Sequence, residues 1–251
     1  MSPAGPSGGP RVLVVQHEPS TGPGRFGDWL TAAGLALAVR HPYDGDVLPG
    51  SPVEADALLV LGGAMGPTED DRCPWLPATR DLLARAVTGR VPTFGICLGA
   101  ELMAVACGGE VRRGIAGPEL GVLPVAPGPE AAADPVFAVL PPTTRVVQWH
   151  WEEISQLPAG AVALASSPAY PNQAFRLGPA AWGVQGHPEV TSEIAAAWAR
   201  EDSPLLVAAG RRPDELVMEI REAEAGLGAV WRPVVDAFAR LVHASYAARR
   251  R

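Results

Sequence analysis

The sequence contains no lysine: its 20 basic residues are all arginine, set against 27 Asp and Glu for a net charge of −7. Its largest basic cluster is the Arg249-Arg250-Arg251 tail. Nucleic acids select a basic stripe or patch, so this balance argues against a nucleic acid partner. Cysteine is almost as scarce. Three residues, Cys73, Cys97 and Cys107, make no disulfide framework and suit a reducing compartment. No stretch reaches the roughly 18 to 20 uninterrupted apolar residues that cross a bilayer. Residues 1–10 are rich in Gly, Pro and Ser, without the basic start and apolar run of a secretory leader. The expectation is a cytoplasmic protein with no membrane partner and a flexible segment over 1–10.

What is present reads as a folded globular chain. Apolar residues make up 47% and charged residues 19% of 251, enough to bury a full core as one domain, taken as 11–251. Short apolar runs alternate with helical patterns in the first half. Residues 11–16, 35–40, 57–61 and 91–96 read as buried strands. Phe26, Trp29, Leu30 and Ala33 fall at helical spacing before Gly34, and a surface helix is expected over 76–87. A further helix begins at Leu98 and runs to Cys107. This alternation predicts an α/β protein with a mostly parallel central sheet. The middle differs, with strand candidates at 111–125, 144–149, 161–166, 173–177 and 181–185 between Gly/Pro turns; they are expected to add antiparallel strands. After Pro188 the chain is helical in character. The stripe Val230, Trp231, Val234, Val235, Phe238, Leu241 and Val242 predicts a terminal helix packed on the domain.

Chemistry concentrates at strand ends. Cys97 sits in Gly95-Ile96-Cys97-Leu98-Gly99, between a strand and a helix, with glycine two positions away on each side. A sharp strand-to-helix turn exposes its central side chain and brings backbone segments close, which small flanking residues permit. The helix N-terminus adds free N–H groups and a dipole that favours thiolate. Gly186-His187-Pro188-Glu189 follows the strand candidate 181–185. If that strand runs parallel to 91–96, His187 and Cys97 meet at one sheet edge, with His187 as base and Glu189 as its orienting group. Leu61-Gly62-Gly63-Ala64-Met65-Gly66 ends another strand and matches neither phosphate-binding glycine pattern. Its Gly63 N–H, with that of Leu98, is the candidate oxyanion hole, each donor contributing roughly 2.7–4 kcal/mol to the transition state.

These features together resemble the class I, or triad-type, glutamine amidotransferase family, and especially stand-alone proteins related to the amidotransferase domain of guanylate synthase. The resemblance runs from about Val12 to Phe238. It also takes in Gln148-Trp149-His150 and Pro171-Asn172-Gln173-Ala174-Phe175. An α/β-hydrolase shares a similar elbow but places its acidic residue before the histidine. The resemblance implies a flavodoxin-like three-layer sandwich with additional antiparallel strands, a helical C-terminal segment and a Cys97-His187-Glu189 triad. The implied reaction is attack on the glutamine side-chain amide, release of ammonia, and hydrolysis of a γ-glutamyl thioester. Many members pass ammonia to a synthetase; here such an acceptor would be a separate protein or absent.

Two departures touch the expected substrate pocket, which comprises Gly62, Met65, Glu101, His150, Trp151 and Glu152. The family usually has Gln four residues after the nucleophile, where it helps hold glutamine; this chain has Glu101. His150-Trp151-Glu152-Glu153 stands where His-Gly-Asp is common, so Trp151 reshapes the pocket. Two other readings therefore stand beside glutamine hydrolysis. One is action on a modified γ-glutamyl metabolite, and the other a catalytically weak, partner-binding relative. Glu18, Glu101 and Glu152 together predict an acidic pocket, and His17 is a candidate for its mouth. Trp149 and Trp151 are wall or core residues. Cys73 and Cys107 read as structural. His17, His41, His150 and His243 show no metal-ligand spacing and no Cys-x-x-Cys pair accompanies them, so no metal and no cofactor is expected. The partner called for is a small-molecule substrate.

Overall fold

The computed structural model describes residues 9–50 and 54–251. The expected flexible segment 1–10 therefore lies largely outside the described residues, although Pro10 is buried and its carbonyl accepts the Ala36 N–H at 3.0 Å. Eleven strands and six α-helices are found among the described residues. In chain order they begin β1 (Arg11–Val15), α1 (Gly24–Ala32), β2 (Ala36–Arg40), β3 (Ala57–Val60), α2 (Leu76–Thr88), β4 (Thr93–Ile96) and α3 (Leu98–Ala106). The middle holds β5 (Glu110–Arg113), β6 (Glu119–Pro127), β7 (Thr144–His150), β8 (Glu152–Gln156), β9 (Val162–Ser166), β10 (Ala174–Leu177) and β11 (Ala181–Val184). Helices α4 (Ser192–Glu201), α5 (Ser203–Ala208) and α6 (Pro213–Arg249) close the chain.

Nine strands form one mixed sheet in the order β2-β1-β3-β4-β11-β10-β9-β6-β7. Pairing is parallel from β2 to β11 and antiparallel from there to β7. The parallel share is smaller than the sequence led us to expect, because the whole Gly/Pro-punctuated middle extends the sheet by antiparallel pairing. The candidate strand over 111–125 is two strands, parted by a turn in which Gly117 adopts φ +90°. β8 had no sequence signal, since Ile154 is its only large apolar side chain. It pairs antiparallel with β5 in a separate two-stranded sheet.

Alternation along the strands divides the core. Val12, Val14, Leu59, Phe94 and Ile96 face Phe26 and Leu30 of α1 and Trp231, Val234 and Phe238 of α6. Leu13, Val15, Leu58 and Val60 face α2 and α3 on the other side. This period-2 division makes the three layers. Phe94, Phe238 and Phe26 are fully buried, each worth roughly 1.5–3 kcal/mol of transfer free energy. A third cluster joins β6 and β7 to α4, α5 and the first half of α6 through Trp149, Trp198, Leu216 and Ile220. α6 serves the first and third of these clusters, with Pro233 inside its length. Proline there has no N–H to continue the helical ladder. Among the described residues, no helix is long and apolar enough to cross a membrane.

Candidate active site

β4 and β11 are neighbours and parallel, with Ile96 opposite Val184. Their chains therefore leave the sheet at the same edge, which brings Cys97 and Gly186-His187 together. Cys97 caps α3 with φ +49° and ψ −111°, a conformation that L residues rarely adopt. The turn is tight enough to demand both flanking glycines. A Cβ on Gly99 would stand 2.1 Å from the Val60 carbonyl oxygen, and one on Gly95 would stand 2.7 Å from the Gly99 carbonyl. Cys97 N–H donates to Val184 O at 2.8 Å, tying the turn to β11.

Gly62 packs against both the Cys97 and the His187 side chains. A Cβ there would stand 3.0 Å from His187 Cε1 and 3.7 Å from Cys97 Cβ. His187 is anchored by its N–H donating to Val147 O at 2.7 Å and packs edge-on against Trp198, ring centroids 4.7 Å apart. Its Nδ1 faces Glu189 Oε1 at 2.7 Å. A neutral ring that donates there presents an unprotonated Nε2. Glu189 is fixed in turn by α1: its carbonyl accepts the Arg25 N–H at 3.0 Å, and a Cβ on Gly24 would sit 2.2 Å from that oxygen. Gly24 adopts φ +46°, so glycine is required there on both counts.

The thiol rests in its neutral form. Burial first, then the carboxylates of Glu101, Glu189 and Glu152, push Cys97 well above the ordinary thiol value of 9.0, with the Leu98 N–H opposing them. The helix N-terminus expected to favour thiolate is outweighed by burial and these charges. Any thiolate at Cys97 would therefore form as its proton is transferred, not ahead of it. Gly63 sits beside Leu98: a Cβ on it would meet Leu98 Cδ2 at 2.9 Å and Met65 Sδ at 2.6 Å.

Cys97 and His187 open onto a cavity of about 190 Å³. Of the residues singled out in the sequence for the pocket, Met65, Glu101, His150, Trp151 and Glu152 line it, and Gly63 joins them. Gly62, Leu98 and Glu189 are not on its walls. Gly62 packs against the Cys97 and His187 side chains, Leu98 is fully buried, and Glu189 stands behind His187. His17 is also off the walls. It is fully buried, accepts the Trp75 indole N–H on Nδ1 at 3.0 Å, and is held neutral by burial, which lowers it to about 4.

Glu101, on the first turn of α3, is 3% exposed, and its Oε1 accepts from Gln185 Nε2 at 2.8 Å. Burial first, with Glu152 adding and Gln185 and His150 opposing, raises its carboxyl to about 7. His150 faces an acceptor on each ring nitrogen: Glu152 O at 2.7 Å and Glu119 Oε2 at 3.1 Å. Behind it, Glu119 Oε2 accepts from Gln173 Nε2 at 2.7 Å, and Gln173 Oε1 accepts from Gln148 Nε2 at 2.5 Å. The two glutamine-bearing motifs of the sequence are thus one buried hydrogen-bond chain supporting the cavity wall.

Several lining residues carried no local signal. Arg113 of β5 lies 3.2 Å from Glu152 and over the Trp151 ring at 5.9 Å. Trp198, Glu201, Asp202 and Leu205 come from α4, α5 and the residue between them. Only the fold-back of those helices over the sheet edge brings them to Cys97. With Glu18 and Glu69 also present, the walls carry six carboxylates and, among the described residues, one arginine. Three glutamates were expected to make the pocket acidic; Glu69 from the loop after β3, and Glu201 and Asp202 from the α4–α5 segment, double that number.

A family model described as glutamine amidotransferase class-I matches residues 35–200. The chain is 31% identical to the glutamine amidotransferase-like protein YfeJ of Salmonella typhimurium, over 84% of this chain and 89% of that one. It is 35% identical to a subunit of the glutamine-hydrolyzing GMP synthase of Natronomonas pharaonis, over 72% of this chain and 88% of that one. It is also 28% identical to gamma-glutamyl peptidase 5 of Arabidopsis thaliana, over 61% of this chain and 56% of that protein. The crystal structure of a glutamine amidotransferase from Thermotoga maritima superimposes with a TM-score of 0.83 at 27% identity, covering 92% of this chain and 99% of that one.

Proposed function

Because the chain belongs to the class I glutamine amidotransferase family, whose membership implies a cysteine-nucleophile amidohydrolase, we propose that Cys97, His187 and Glu189 cleave the side-chain amide of a γ-glutamyl compound. The observation that carries this reading is the meeting of Cys97 and His187 across Gly62, with His187 Nδ1 held by Glu189 at 2.7 Å. His187 Nε2 takes the thiol proton as sulfur attacks the amide carbon. The oxyanion that forms is received by the N–H groups of Gly63 and Leu98. Its collapse breaks the carbon–nitrogen bond, and His187 gives its proton to the departing amine. Water, deprotonated by His187, then hydrolyses the γ-glutamyl thioester to glutamate and returns the thiol. Glu189 fixes the tautomer throughout and stabilises the imidazolium between steps.

Two substrates suit the same chemistry. Glutamine releases ammonia, and the likeness to a GMP synthase subunit supports a separate synthetase as its acceptor. A substituted γ-glutamyl amide releases an amine; Glu101, in the place usually held by Gln, and the likeness to a gamma-glutamyl peptidase support it. The test is glutamate release from L-glutamine and from γ-glutamyl alkylamides by native protein, Cys97→Ala and Glu189→Gln. Native turnover should vanish in Cys97→Ala and fall about 100-fold or more in Glu189→Gln. Release by Cys97→Ala at the native rate refutes the mechanism.

A further inference from the structure

The cavity has two chemically different ends, and the direction of the reaction tells them apart. The leaving nitrogen must lie toward His187, which hands it a proton. Beyond His187 on that side stands Trp198, and Trp198 packs against Trp149 with centroids 5.7 Å apart. The Trp149 indole N–H donates to Asp202 Oδ2 at 2.8 Å. Ser20 ties the same wall together, its carbonyl accepting from Trp198 Nε1 at 3.0 Å and its hydroxyl donating to Glu201 Oε2 at 2.8 Å. Glu18 completes the group, with Oε1 accepting the Ala64 N–H at 3.1 Å.

Among the described residues no arginine forms an ion pair with Glu18 or Asp202 of this wall, or with Glu201, and the lining Arg113 is paired with Glu152 instead. Arg113 stands with Glu152 and Trp151, in the part of the cavity that acts on the Cys97 sulfur through Glu101 and Glu152. That end suits the zwitterionic part of a glutamyl group: Arg113 for the α-carboxylate and Glu101 for the α-ammonium. Glu101 is almost fully buried and lines the cavity, yet only its Oε1 has a hydrogen-bond partner among the described residues. Its second oxygen awaits a donor. At the other end Glu18 is pushed up to about 7, by burial first and then by repulsion from Glu201 and Asp202. Carboxylates that repel one another beside indole faces are the surroundings that bind an organic ammonium.

We infer that the amine released here carries a second, positively charged nitrogen, so that the preferred substrate is a γ-glutamyl derivative of a diamine or polyamine. The reaction takes up one water. The γ-glutamyl carbon–nitrogen bond breaks, glutamate forms, and the diamine leaves with both nitrogens protonated. Glu18, Glu201 and Asp202 hold the distal ammonium, and Trp149 and Trp198 flank its alkyl chain. This inference rests on the proposed γ-glutamyl hydrolysis and adds the charge of the leaving group.

The experiment measures kcat/KM of the native protein for γ-glutamylputrescine, neutral γ-glutamyl pentylamine, anionic γ-glutamyl aminobutyrate and L-glutamine. The cationic amide should exceed the neutral one by about tenfold or more, with the anionic amide below both. In Glu201→Gln/Asp202→Asn the cationic-to-neutral ratio should fall toward one, chiefly through KM. Raising salt from about 50 mM to about 500 mM should lower the ratio in native protein, an arm that needs no variant. A native ratio of one or less, or a ratio that the double variant and salt both leave intact, overturns the inference. Turnover of glutamine and the neutral amide without cationic preference overturns this inference alone; no turnover of any of the four overturns the parent reading with it.

Discussion

Replacing Glu101 by Gln should stabilise the protein, and the gain should depend on pH in a direction the structure dictates. Glu101 is 3% exposed, and its carboxyl rises from 4.5 to about 7 on folding, mainly by burial. Between those two values the unfolded chain has lost the proton while the folded chain keeps it. Stability therefore falls as pH rises through this window, and the loss is complete above about pH 7. At about 1.4 kcal/mol per pH unit, the full cost is roughly 3 kcal/mol. The same linkage leaves about 1 kcal/mol of it at pH 5. Gln retains an amide oxygen for Gln185 Nε2 and carries no charge to desolvate, so this component vanishes in the variant. Urea unfolding of both proteins at about pH 5 and about pH 8 measures it. The advantage of Glu101→Gln should grow by roughly 2.5 kcal/mol between the two conditions. An equal difference at both pH values would mean that Glu101 is already ionised in the fold at low pH, and the reasoning about its burial would be wrong.

Gly99→Ala should cost about 3 kcal/mol or more, because its Cβ would lie 2.1 Å from the backbone oxygen of Val60, which sits in the central strand β3 and has no room to retreat. Thermal unfolding checks this, and an unchanged midpoint refutes the tight turn. Because Cys97 is a neutral thiol at rest, iodoacetamide should label it slowly near neutral pH and faster as pH rises beyond about 9. A γ-glutamyl chloromethyl ketone, whose carbonyl the proposed Gly63 and Leu98 donors would receive, should label it rapidly near neutral pH. Fast, pH-independent labelling by iodoacetamide, read by peptide mass, would show a standing thiolate instead.

The parallel half of the fold was legible because each of its strands is a short, continuous apolar run. β3 ends one residue before the expected Leu61, and β4 begins two residues after the expected Val91. The placement of Cys97 beside His187 was legible for a related reason: a strand-to-helix turn leaves its glycines at fixed spacing, and neighbouring parallel strands release their chains at one edge. The cavity wall of Trp198, Glu201 and Asp202 was not legible. Trp198 reads as an ordinary apolar position of α4, alongside Ala195 and Ala199, and Glu201 and Asp202 read as its polar end. Only tertiary packing brings them to the cavity that His187 lines. β8 escaped for want of periodicity, although Glu152 and Glu153 at its start pair with Arg113 and Arg112 of β5 across the small sheet.

The backbone of Cys97 has a consequence beyond its exposure of sulfur. A residue with a side chain at φ +49° and ψ −111° carries about 1–3 kcal/mol that glycine would not. Glycine would release that strain, but only by erasing the proposed nucleophile and its buried side chain. Backbone ease and the proposed chemistry thus pull on one residue in opposite directions.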